Sequence, residues 1–181
     1  MKLIILSLLI YLNLYADAKL EMLQLFQNNK YEAACNLGFE HFKYYKQEDE
    51  FLSLYAFSCL QSDLIDRLAM PLAMLKYSKE ARANAAYFSI ILMQKKLLYH
   101  ALVDGYDLEN LNLPTTDYIL SKVFDFYSKL KKHDKRSVYI FDDLHDPKLS
   151  YKLYILEEER ISKMVIEEFY DTIVIKRHIY W

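Results

Sequence analysis

A chain of 181 residues that is 54% hydrophobic and 27% charged can bury a core, is too apolar to stay disordered and is too charged for a multi-span membrane protein. It has two glycines, Gly38 and Gly105, which excludes the glycine-rich loops that cradle phosphates and dinucleotides. A net charge of −2 gives no global attraction to nucleic acid or anionic membrane, and the shortage of glycine and proline favours helices over a large all-β fold.

Residues 1–18 join a basic start at Lys2, an apolar run from Leu3 to about Leu14 and the small-x-small end Ala16-Asp17-Ala18, the form of a signal peptide. The run is broken by Ser7 and Asn13 and is shorter than the roughly 20 residues a spanning helix needs, so no membrane span is expected after cleavage. The mature chain then begins at Lys19 and is exported: periplasmic in a Gram-negative cell, secreted otherwise.

From residue 19 to 131 apolar residues recur at helical spacing, as in Tyr31, Ala34, Cys35, Gly38 and Phe42. The pattern predicts helices at Lys19–Gln27, Tyr31–Lys46, Glu50–Leu60, Leu64–Lys76, Lys79–Met93 and Leu97–Val103. A last helix runs from about Thr115, after Pro114 and with Asp117 in its first turn, to Lys131. Polar breaks at Asn28-Asn29-Lys30, Gln61-Ser62-Asp63 and Gln94-Lys95-Lys96 start 33 residues apart. Tyr31 with Ala34, and Leu98 with Ala101, stand early in the second helix of a period; Ile65 and Leu68 hold those places in the middle unit, where Pro71 interrupts. With this period and two helices in each, the chain resembles tetratricopeptide-like helical-hairpin repeat proteins, and the resemblance implies an architecture and no activity.

Beyond the basic stretch 131–136 the period becomes two and β-branched residues accumulate, which predicts strands at Ser137–Phe141, Tyr151–Leu156, Ile161–Tyr170 and Ile173–Trp181. If Asp171-Thr172 is a two-residue hairpin loop, Glu167 faces Lys176, Val165 faces His178 and Phe169 faces Val174. Met164, Ile166, Tyr170, Ile173, Ile175, Ile179 and Trp181 then form an apolar face. The expected fold is mainly α, a short helical-hairpin array at 19–131 with a small antiparallel β-meander at 137–181 docked on the helices.

The chemistry-bearing residues do not form a recognisable catalytic set. Five histidines, at 41, 100, 133, 145 and 178, lack metal-ligand spacing, and no serine sits in a G-x-S-x-G elbow. The densest set of ligating types is Asp142, Asp143, His145 and Asp146 before Pro147, read as a solvated turn with a metal or enzymatic site as the alternative. Glu157-Glu158-Glu159 and Glu167-Glu168 are read as exposed charges opposite Lys163, Lys176 and Arg177, because neighbours on a strand point to opposite faces. No cofactor, catalytic residue or metal is assigned. The run 131–136 suits the carbonyl end of a helix, and export separates the chain from nucleic acid.

Cys35 and Cys59 lie twelve residues either side of position 47, and Lys46-Gln47-Glu48-Asp49 reads as the turn between antiparallel helices. Both thiols therefore sit about 18 Å from the turn, at 1.5 Å rise per residue, and a disulfide is expected in an exported protein. These features favour a scaffold or adaptor that binds a protein or peptide. Arg82, Asn84 and Tyr87 are the expected partner-binding residues on the first helix of the third hairpin, and the alternative is an assembly factor that acts through its C-terminal sheet.

Overall fold

A computed structural model describes residues 18–108, 111–130, 133 and 136–181. The expected signal peptide, apart from Ala18, lies outside the described residues, as do Lys131, Lys132, Asp134 and Lys135 of the basic run. The helices are α1 (through 18–27), α2 (Tyr31–His41), α3 (Asp49–Gln61), α4 (Ala69–Met74), α5 (Lys79–Asp104) and α6 (Ile119–Ser128). The strands are β1 (Tyr139–Asp142), β2 (Leu149–Leu156), β3 (Lys163–Tyr170) and β4 (Ile173–Tyr180), one antiparallel sheet in the order β1-β2-β3-β4. The protein is therefore mainly helical with a C-terminal meander. Contacts divide it into two units, one ending at Phe88 and the other running from Ser89 to Trp181, and the division falls inside α5.

In the first unit α2 and α3 form a hairpin that packs more closely than two ordinary helices can. Cys35 and Gly38 stand on one face of α2, and Ala56, Tyr55 and Cys59 answer them from α3. A Cβ at Gly38 would lie 2.4 Å from Tyr55 Cδ2 and 2.9 Å from its Cβ, so the absent side chain is what admits the Tyr55 ring. The same proximity brings the Cys35 and Cys59 Cα atoms to 4.8 Å and their sulfurs to disulfide distance. The expected helix at Leu64–Lys76 divides into a 3₁₀ turn, Ile65–Leu68, and α4, whose first turn holds Pro71 where an amide proton has no intrahelical partner. Ser78 caps α5 by accepting the Ala81 amide at 2.9 Å, and the Asp49 carboxylate accepts the Ser78 amide at 2.5 Å, which ties the starts of α3 and α5 together.

In the second unit the expected break at Gln94-Lys95-Lys96 does not occur: α5 runs unbroken through it. Gln94 and Lys95 are buried, at 0% and 2% exposure, and distant carbonyls take up the Gln94 amide nitrogen and the Lys95 ammonium in place of water, while Gln94 Oε1 has no partner among the described residues. The Gln94 amide donates to the Pro114 carbonyl at 2.9 Å, and the Lys95 ammonium donates to the Trp181 carbonyl and lies 5.5 Å from the Tyr99 ring centre. At the end of α5, Gly105 takes φ +73°, the left-handed turn that releases the chain from a helix. α6 starts four residues later than expected, with Tyr118 extended before it and Ser121 accepting the Thr116 amide at 2.7 Å. The rings of Phe126 and Tyr127 on α6 lie 5.7 Å from Phe141 and 5.1 Å from Tyr139, so α6 covers one face of the sheet.

The β3–β4 hairpin corrects the expected register. Asp171 and Thr172 do form the loop, Asp171 takes φ +55°, and Phe169 faces Val174 as expected. A bulge then leaves Ile175 without a partner, so Glu168 faces Lys176, Glu167 faces Arg177 and Ile166 faces His178. The slip turns His178 and Tyr180 into the core beside Met164 and Ile166, whereas Ile173 and Ile175, expected on the apolar face, stand 69% and 56% exposed. Two buried polar rings with partners thus displace two isoleucines from the core.

Candidate interaction surface

β4 is one edge of the sheet, and among the described residues no strand pairs with its outer side. The opposite edge, β1, is four residues long; β4 is eight, contains no proline, and its residues 173–177 are all exposed. Ile173, Val174 and Ile175 place three β-branched apolar side chains in water next to free backbone donors and acceptors. Exposed edges pair with other strands, and the bulge at Ile175 and the charges of Lys176 and Arg177 restrict which strands β4 can take.

The charges around this edge are arranged unequally. On the face away from α6, Glu167 is nearly buried, with its side chain 9% exposed, and it is held by both Arg177 nitrogens that reach it and by the Tyr154 hydroxyl at 3.2 Å. That corrects the reading of Glu167 as an exposed charge. The Glu167 carboxylate in turn raises the Arg177 guanidinium above its ordinary value, and burial, followed by the charge of Glu167, raises the Tyr154 hydroxyl. On the other face Glu168 is bonded to the buried His178 ring at 2.9 Å. Both carboxylates are therefore used within the sheet. Lys176 is exposed and without a partner among the described residues, and Lys152 rests 4.2 Å from the Phe169 ring centre. β4 itself carries two cations, Lys176 and Arg177, and no carboxylate.

The acidic loop is built as a turn. The Asp143 carboxylate accepts the amides of His145 at 2.9 Å and Asp146 at 3.2 Å and the Tyr151 hydroxyl at 2.7 Å, and these bonds, Tyr151 first, hold it below the ordinary aspartate value. Asp146 accepts the Lys148 amide at 3.0 Å. Asp142 ends β1, and among the described residues no three His, Cys, Asp or Glu side chains converge on a point that could hold a metal.

Of the residues expected to bind a partner, Asn84 donates to Ser53 at 3.1 Å and Tyr87 lies 6.5 Å from Phe57, so both turn toward α3. Arg82 points elsewhere: its guanidinium donates to the Lys76 and Tyr77 carbonyls at 3.0 and 3.2 Å. Arg82 is thus not brought together with the other two.

The second unit also contains a cavity of about 580 Å³, lined by Asp104, His133, Arg136, Tyr139, Tyr154 and Glu157 among others. Its ring groups are already engaged, since His133 bonds Asp107 and the Tyr127 carbonyl at 3.0 Å each and Arg136 lies over Tyr139. No protein-family model, curated protein or solved structure matches the chain. The bulge at Ile175 has no local turn signal in the sequence; it accompanies the pairing of His178 with Glu168 and of Arg177 with Glu167.

Proposed function

We propose that the chain is an exported binding protein that captures an extended segment of a partner protein alongside β4, with no catalytic step. The observation that carries this reading is the long exposed edge: an incoming strand would satisfy its free backbone groups, and Ile173, Val174 and Ile175 would leave water. The cysteine pair at disulfide distance suits an oxidising compartment, and among the described residues no helix is long and apolar enough to cross a membrane.

The test is Ile175→Pro. Ile175 is the bulge residue and has no partner on β3, so the sheet tolerates proline there better than elsewhere on the strand. Proteins retained by the mature chain from its own exported fraction should be lost by the variant while its circular dichroism is unchanged. Equal retention by a correctly folded variant would contradict strand capture.

A further inference from the structure

The charge on the β4 edge selects among the segments that could pair with it. Glu167 binds Arg177 and Tyr154, and Glu168 binds His178, whereas Lys176, which stands opposite Glu168, is exposed and forms no direct ion pair among the described residues. The register puts Ile173 and Lys176 on the same face as Glu168 and His178, and puts Val174, Arg177 and Ile179 on the opposite face with Phe169, Glu167 and Val165, where the Arg177 guanidinium is held by Glu167. An extended segment laid beside β4 alternates its own side chains between these two faces. One of its rows meets Val174, Ile179 and the Glu167-bound Arg177, and the other meets Ile173 and Lys176.

A second copy of the chain is a poor occupant. Two β4 strands paired about a two-fold axis would bring two copies of Lys176 and two of Arg177 into one short stretch with no carboxylate on either strand. An acidic segment removes this repulsion. We infer that the β4 edge takes an extended partner segment in which acidic residues alternate with apolar ones, the acidic row toward Lys176 and the apolar row toward Val174 and Ile179. The inference rests on the strand-capture reading and adds the chemistry of the captured segment.

The experiment uses labelled peptides of about ten residues, the upper range of common strand lengths. One alternates valine and glutamate, one alternates valine and lysine, and a third is the glutamate peptide with alternate backbone nitrogens methylated. Each is titrated against the mature chain and against Lys176→Glu by fluorescence anisotropy at physiological ionic strength, and sedimentation equilibrium reports the state of the chain alone. The glutamate peptide should bind best, should weaken roughly tenfold on Lys176→Glu, and should fail when methylated. Lys176 is exposed and bonded to nothing among the described residues, so the variant should keep the circular dichroism and Trp181 fluorescence of the parent. Equal binding of the glutamate and lysine peptides, still abolished by methylation, would overturn the acidic preference and leave strand capture standing. Binding that ignores methylation, or no binding by any peptide, would overturn both. A dimer that Ile175→Pro dissociates would make a second copy the occupant and overturn the inference.

Discussion

The two units stabilise their interiors by different means. The first closes on an apolar seam, in which Gly38 admits Tyr55 and Cys35 meets Cys59 a turn away. The second buries polar groups and gives them distant partners: Lys95 the Trp181 carbonyl, the Gln94 amide nitrogen Pro114, Glu167 Arg177 and His178 Glu168, with Gln94 Oε1 left without one among the described residues. An apolar seam is set by spacing along two neighbouring helices, so it is local. A paired polar interior draws its partners from up to 86 residues away, so it constrains register. The first unit should therefore answer to redox and packing, the second to charge and pH.

The largest effect expected is on the first unit. A bridge between Cys35 and Cys59 should contribute about 3 kcal/mol in the chain-entropy model. Urea unfolding with and without reductant should show a lower midpoint by far-ultraviolet dichroism, and a smaller shift in the fluorescence of Trp181, the single tryptophan, which lies in the second unit. Equal shifts by both probes would erase the distinction between the units. Next comes Lys95→Met, which keeps volume at a 2% exposed site and leaves the Trp181 carbonyl without its ammonium donor. A loss of about 2 kcal/mol is expected, read by the same Trp181 transition. An unchanged midpoint would show that the buried polar pairs are not what holds the second unit.

Much of the first unit is legible in the sequence. The helical period, the polar turn at 46–49 and the equal distances of Cys35 and Cys59 from it lead directly to the hairpin. The second unit hides more. Gln94-Lys95-Lys96 has the composition of a break, and it stays helical because Pro114 and Trp181 supply partners that no local pattern announces. The strands and the Asp171-Thr172 loop follow from period-two alternation, but the bulge does not, since a slip of one residue at Ile175 is decided by whether His178 and Arg177 find Glu168 and Glu167. The sequence offered the C-terminal sheet as an alternative interaction surface, but the exposure of Ile175 follows from the slip and was not legible in it.

Acid sharpens the contrast on a smaller scale. The folded-state carboxyl of Asp143 is held below the ordinary value of 3.8 by the Tyr151 hydroxyl and the His145 amide, so its contribution is fully present above that value and is lost as pH falls through the depressed one. Asp143→Asn should flatten the acid limb of the Trp181 transition; an acid limb identical to the parent's would remove Asp143 from the account. The smallest effect expected is Tyr55→Phe in the first unit. The Tyr55 hydroxyl is buried with no hydrogen-bond partner among the described residues, and burial has pushed its pKa up to about 12. Removing it should leave stability unchanged or raise it by about 1 kcal/mol, whereas a loss beyond that would reveal a partner for the hydroxyl.

The most direct measurement of strand capture at β4 is amide hydrogen exchange at single-residue resolution, with and without the valine–glutamate peptide. Residues 173–180 lie on the sheet edge, so the amides that point away from β3 should exchange freely in the chain alone. The account predicts that these outward amides slow when the peptide is added while those of β1 do not. Protection that appears elsewhere and leaves β4 unchanged would contradict it.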